Sequence, residues 1–158
     1  MSKKYILDVC CGPRMFWFKK EHKNTIYGDI RKKSVKIIDG RRIEINPNLV
    51  MDFRDLPFKD SSFRMVIFDP PHLKSLGKNS YIAQKYGMLF SSWETDIKKG
   101  FDECYRVLED FGTMVFKWNE YQIPVNKIIS IIKIAPLIGN RSGKQLKTHW
   151  MVFIKGIE

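Results

Sequence analysis

Apolar residues come along this chain in short runs, and most of the early runs close on an acid. "KYILDVC" (4–10), "TIYGDI" (25–30), "NLVMD" (48–52) and "RMVIFD" (64–69) have the length and branched content of short buried strands. Between them, "VKIIDGRRIEI" (35–45) sets Asp39-Gly40 between two alternating segments, which predicts a hairpin. "RMFWFKK" (14–20) predicts the opening of a helix with Met15, Phe16 and Phe18 turned inward. The clearest helix is "SSWETDIKKGFDECYRVLED" (91–110), where Trp93, Ile97, Phe101, Cys104 and Leu108 recur at spacings of three and four. Ser91 with Glu94 reads as its capping box.

The C-terminal third continues the alternation. Strand "GTMVFKW" (112–118) is followed by a helix after Pro124 (125–133), a glycine-containing basic loop (138–147) and a last strand "THWMVFIK" (148–155). Strands apolar on both faces, alternating with helices, predict one α/β domain over residues 1–158. The expected architecture is Rossmann-like: a parallel-rich sheet with helices on both faces and an antiparallel C-terminal edge strand. The interval 52–64 is too short for a full helix, so that crossover is expected to be a loop.

Composition narrows the function classes. The net charge is +11, and residues 1–42 alone carry twelve Lys/Arg against four Asp/Glu. A basic surface favours polyanions, nucleic acid first, although charge alone only permits such a partner. Cys10, Cys11 and Cys104 have no CxxC spacing, so neither a disulfide framework nor a metal site is indicated, and a reduced cytoplasmic setting is expected. The most apolar stretch, Ile128–Ile138, contains Lys133 and Pro136 and is too short to span a bilayer, and the N-terminal residues lack a signal-peptide core. No membrane partner is expected.

The chemistry gathers where the strands end. Asp8, Asp29, Asp52 and Asp69 close consecutive strands that a doubly wound sheet brings together, at the edge where such sheets bind ligands. Four acids there suit a ligand rich in hydroxyl and amine donors. Asp69-Pro70-Pro71-His72 is the most unusual of these ends, because two prolines leave stiff carbonyls that no ladder can use.

"ILDVCCGPR", "IYGDIR", "MDFRDLPFKDSSFRMVIFDPPH" and "GTMVFKW" together resemble the ordered motifs of class I S-adenosylmethionine-dependent methyltransferases, over roughly residues 5–118. More narrowly, the chain is similar to small stand-alone bacterial and phage methyltransferases that carry Asp-Pro-Pro-His. The resemblance implies S-adenosylmethionine as cofactor, with Asp8, Cys10 and Gly12 in the turn that cradles its amino-acid end. Cys10 and Arg14 stand where the family often has glycine. The same resemblance gives Asp29 the ribose hydroxyls and Asp52 the adenine amine, with Phe53 covering the ring.

In that family, an Asp-Pro-Pro-aromatic turn grips a planar amino group. Asp69 would accept one N–H and the Pro70 carbonyl the other, while Pro71 stiffens the corner and His72 takes the stacking position. The implied reaction is N-methylation of an exocyclic amino group on a nucleic-acid base, DNA before RNA. A base in a duplex would have to be flipped out. Lys74, Tyr81, Tyr86, Trp118 and Asn119 are the candidate substrate contacts. With no room for a separate recognition domain, specificity would come from loops, a partner or a homo-oligomer. The alternatives are a protein amide or small amine as substrate, or a non-catalytic Rossmann-like nucleic-acid-binding module.

Overall fold

The computed structural model describes residues 4–36, 40–75 and 81–157. The strands are β1 (Ile6–Asp8), β2 (Thr25–Asp29), β3 (Lys33–Lys36), β4 (Arg42–Ile45), β5 (Leu49–Val50), β6 (Phe63–Phe68), β7 (Leu108–Asn119), β8 (Ile138–Ser142) and β9 (Thr148–Ile154). The helices are α1 (Tyr81–Tyr86), α2 (Trp93–Val107) and α3 (Val125–Ile132). Seven strands form one sheet in the order β5-β2-β1-β6-β7-β9-β8. The first five run parallel, and the β9–β8 edge is antiparallel. β3 and β4 form a separate antiparallel hairpin, with Lys36 opposite Arg42 as the Asp-Gly signal predicts, although Asp39 itself lies outside the described residues.

The chain moves outward from β1 through β2 to β5, then crosses back to add β6 and β7 on the other side of β1. Strand order therefore reverses between β1 and β6, and an open α/β sheet has its ligand crevice at that point. The β5–β6 crossover contains no helix, as its length required. Among the described residues, no helix is long and apolar enough to cross a membrane.

Alternation along the strands sorts the sheet into two unlike faces. Leu7, Val66, Met114 and Phe153 share one face and pack beneath Ile97, Phe101 and Cys104 of α2 and Ile128 and Ile132 of α3. Burial of each such side chain contributes about 1.5–3 kcal/mol. Gly100 is part of this fit: a Cβ there would come within 2.4 Å of the Phe53 ring. The opposite face carries Ile6, Met65, Val115, Val152 and Ile154, all half-buried. It is covered by turns of residues 9–24, with Phe16 edge-on to Trp150 at 5.5 Å and Trp17 edge-on to Tyr27 at 5.0 Å. The predicted helical covering is thus realised on one face, by α2 and α3.

Three local expectations are corrected. Residues 14–20 form turns, not a helix. Arg14 adopts a left-handed φ of 54°, and its guanidinium reaches the Lys20 and Asn46 carbonyls at 2.7 and 2.8 Å, which holds the segment folded back. Phe18 is fully exposed rather than inward. The Ser91/Glu94 capping box does not form, because α2 begins after Ser92 so that Trp93 can be buried; Glu94 pairs instead with Lys127 of α3 at 3.1 Å. The basic loop is shorter than expected, since Ile138–Ser142 pairs with β9 as an exposed edge strand. Its "IGNRS" sequence has little β-propensity, and cross-strand hydrogen bonds decide its conformation.

Candidate active site

Two cavities meet at the C-terminal tips of the parallel strands. The first encloses about 410 Å³, the second about 380 Å³, and Asp69, Tyr86 and Lys117 line both. The turn after β1 gives the first cavity Cys10, Cys11 and Gly12; the end of β2 and the turn after it give Asp29 and Arg31; the segment after β5 gives Asp52, Phe53 and Arg54. Residues Gly87–Phe90, following α1, form its other side. The second cavity is built from His72 and Leu73, from Asn119 at the end of β7 with Tyr121 and Gln122 beyond it, and from Thr148 of β9.

The turns explain the first cavity. Gly12 has a φ of 48°, a conformation cheap only for glycine, which aims its amide at Asp29 Oδ2, 3.0 Å away. Left-handed backbone at Arg14 costs about 1–2 kcal/mol. Its guanidinium lies 3.8 Å over the Tyr27 ring, and that contact with its two carbonyl bonds offsets the strain. Arg14 can therefore stand where a glycine would be expected.

Asp29 and Asp52 in the first cavity are each held by an arginine two residues on. Asp29 Oδ1 accepts from the Arg31 backbone N–H and Nε, both at 2.9 Å, and Oδ2 accepts from Arg31 Nη2 at 3.1 Å as well as from Gly12. Asp52 repeats the arrangement with Arg54, whose Nη2 reaches Oδ2 at 2.6 Å and whose Nη1 reaches Asp96 at 3.1 Å. The Arg54 hydrogen bonds hold the Asp52 carboxyl below the usual carboxylate range. Arg31 Nη1 also contacts the Lys85 carbonyl in α1 at 3.5 Å, joining this cluster to the segment that closes the cavity. Phe53 lies edge-on to Phe68 at 5.4 Å, so it is both cavity wall and core.

The partition between the cavities is Asp69 and Lys117. One residue beyond the Phe68–Phe116 pair, both side chains fall on the sheet face opposite α2, and Lys117 Nζ lies 2.7 Å from Asp69 Oδ2. Burial pushes the Asp69 carboxyl above its ordinary range, and the Lys117 charge and hydrogen bond pull it back. His72 goes the other way: burial, then Lys117, bring its pKa down to about 4, against a hydrogen bond to the Pro70 carbonyl. At neutral pH the ring is an uncharged imidazole, 6.1 Å from Tyr86. Burial pushes the Cys11 thiol up to about 12 and raises Cys10 too, so neither supplies a thiolate nucleophile.

With this geometry the chain can be set beside proteins of known structure. A protein from Pyrococcus horikoshii superposes with a TM-score of 0.61 at 16% identity, over 98% of this chain and 82% of its own. A Methanosarcina mazei S-adenosylmethionine-dependent methyltransferase gives 0.56 at 9%, over 100% and 95%. The Burkholderia thailandensis 1,6-didemethyltoxoflavin N1-methyltransferase, solved with its substrate and S-adenosylhomocysteine, gives 0.53 at 9%, over 97% and 71%. The fold is that of class I S-adenosylmethionine-dependent methyltransferases. No protein-family model matches the sequence, and no curated protein matches it either.

Within this methyltransferase fold, the predicted site residues separate. Cys10, Gly12, Asp29, Asp52, Phe53, Asp69 and Pro71 line the first cavity; Asp69, His72, Tyr86 and Asn119 line the second. Pro70 is buried behind the corner it stiffens. Asp8 lines neither cavity: it is fully buried and accepts from Trp17 Nε1 at 2.8 Å and Cys10 N at 3.4 Å, so it braces the turn from behind. Trp118 is corrected to a core residue, 0% exposed, with its indole N–H on the Ile123 carbonyl at 3.0 Å; strand alternation turns it away from the rim. Lys74 sits over Trp93 at 4.6 Å, outside both cavities, and Tyr81 lines a separate small cavity with Lys85.

Sequence reasoning missed Arg31, Arg54, Lys117, Tyr121 and Gln122. The arginines had a signal, since "DIR" and "DFR" repeat one acid-x-arginine pattern at two strand ends. Lys117 had one too, a lone cation inside an apolar strand. Gln122, whose Oε1 accepts the Lys74 amide at 2.6 Å and so pins the chain after His72, had none.

Proposed function

We propose that this protein is an S-adenosylmethionine-dependent N-methyltransferase whose acceptor is the exocyclic amino group of a nucleic-acid base in a single strand, DNA before RNA. The observation that carries the proposal is the pair of cavities that share one half-buried carboxylate, so that a donor and an acceptor bound on either side face each other at Asp69. The first cavity fits the cofactor by volume and by its donors and acceptors. Asp29 would take the ribose hydroxyls in exchange for side-chain bonds of Arg31, Asp52 the adenine amine and Phe53 the ring face. The cofactor, when bound, supplies an electrophilic sulfonium methyl.

The remaining work belongs to the chain. An aromatic amine is a poor nucleophile because its lone pair is delocalised into the ring. Asp69, paired with Lys117, accepts one N–H and the Pro70 carbonyl the other, favouring a pyramidal nitrogen with its lone pair directed at the first cavity. Both acceptors sit on a stiff corner, so little reorganisation is left for the transition state. Neutral His72 and Tyr86 offer flat faces to the base without placing a charge against it. Nitrogen gains the methyl group and loses a proton, for which Asp69 is the nearest carboxylate.

Labelled methyl transfer, with single-stranded DNA, RNA and protein offered separately, tests the proposal. Label on nucleic acid, converted to an N-methylated base on hydrolysis, is the expected outcome. Label on protein alone would overturn it.

A further inference from the structure

The second cavity does not stop at Thr148. Asn119, Tyr121 and Thr148 also line an outer cavity of about 550 Å³, completed by Gly143, Lys144, Gln145 and Lys147 at the tip of the β8–β9 hairpin. The two cavities therefore adjoin at Asn119, Tyr121 and Thr148, and the outer one is bounded by the basic loop that the catalytic proposal leaves without a role. Three features of that outer cavity point to one kind of ligand. Lys144 is exposed, and Lys147 Nζ lies 4.9 Å from the Tyr121 ring centroid. Tyr121 itself is 67% exposed, which leaves ring surface open to solvent at the mouth of both cavities. Among the described residues, no carboxylate lines the outer cavity.

We infer that this outer cavity is a flanking-nucleotide subsite, in which Tyr121 stacks a neighbouring base and Lys144 and Lys147 hold the adjoining phosphates of a single strand whose target base enters the second cavity. The inference rests on the base-methylating reading above and adds to it a length requirement. An oligonucleotide engages both cavities and a free nucleoside only the inner one. An aromatic platform beside lysines is how proteins hold single strands without a base-specific code. Each phosphate contact on a single strand adds about 0.7 to the slope of log affinity against log salt.

The experiment compares wild type, Lys144→Ala/Lys147→Ala and Tyr121→Ala. Fluorescence anisotropy with a labelled single-stranded DNA or RNA oligonucleotide is read at several salt concentrations, and methyl transfer is read on that oligonucleotide and on the free nucleosides. The double lysine variant is expected to flatten the salt slope by about 1.4 while transfer to nucleoside stays unchanged. Tyr121→Ala is expected to weaken oligonucleotide binding by about 5- to 150-fold. The comparison of the DNA and RNA arms identifies the strand. If the double variant binds and methylates oligonucleotide like wild type, the subsite is overturned and the base-methylating reading stands. If wild type neither binds nor methylates any nucleic acid, both fall together, and retained S-adenosylhomocysteine binding by calorimetry would locate the error in the substrate.

Discussion

The two cavities that share Asp69 are built in opposite ways. On the first side, charge is settled locally: Asp29 is closed by Arg31 and Asp52 by Arg54, each two residues along the same turn. On the second side, the wall is assembled mainly from segments distant in the chain. Its surface comes from the ends of β6, β7 and β9, and its polar groups, Asn119 and Thr148, bond to each other across 29 residues at 3.1 Å. The first cavity is a set of self-sufficient turns that the sheet gathers together, whereas the second exists only once the sheet has closed. Variants on the two sides should therefore fail differently: first-side changes in the affinity for the cofactor, second-side changes in transfer.

The sharpest break in that comparison is Asp69→Ala. Transfer should fall at least 10²-fold, the scale for losing one oriented group at the reacting atom, while calorimetric affinity for S-adenosylhomocysteine stays close to wild type. Equal losses of both would mean that Asp69 belongs to the donor side. Asp29→Ala should do the reverse, weakening S-adenosylhomocysteine by about 1–3 kcal/mol through lost hydrogen bonds to a charged acceptor.

Lys117→Met sharpens the boundary itself. The Asp69 carboxyl is raised by burial and lowered by Lys117, so removing the cation raises it further. Transfer requires the ionised form and is lost as pH falls through that pKa. The acidic limb of the rate profile should move to higher pH in the variant, with a loss of about tenfold at neutral pH. An unmoved limb would remove Lys117 from the mechanism.

The last effect is on stability and leaves the division between the cavities untouched. Burial, opposed mainly by the Trp17 hydrogen bond, raises Asp8 from an ordinary 3.8 to about 7. Between those values the folded state holds a proton that the unfolded state releases. The contribution is full below about pH 4, declines by about 1.4 kcal/mol per pH unit as pH rises, and is gone above about 7. Thermal melts from pH 4.5 to 8 should show a slope that Asp8→Asn flattens. A variant with the wild-type slope would show that Asp8 is ionised throughout.

Legibility followed the range of the interactions. Asp29, Asp52 and Asp69 were readable because a strand end followed by a turn is written in adjacent residues, and the periodicity of α2 is written in its own sequence. The turns at 14–20 were not readable as turns, because Arg14 is held by the Asn46 carbonyl, 32 residues away. Nor was β8, whose strand conformation depends on β9. Trp118 and Lys117 show the same limit at one position: the alternation was visible, but which of the two faces the site was decided by where α2 packed.

By itself, then, the sequence determined the strand–turn units, the acids at their tips, the stiff proline corner and the amphipathic helix, all set by neighbours within a few residues. Only the tertiary structure decided which face α2 and α3 would cover, that Asp8 would sit behind the wall, and that a second cavity would open beyond Lys117. Those outcomes depend on packing between segments distant in the chain, and a side chain's neighbours across a sheet are fixed by register, which no local pattern encodes.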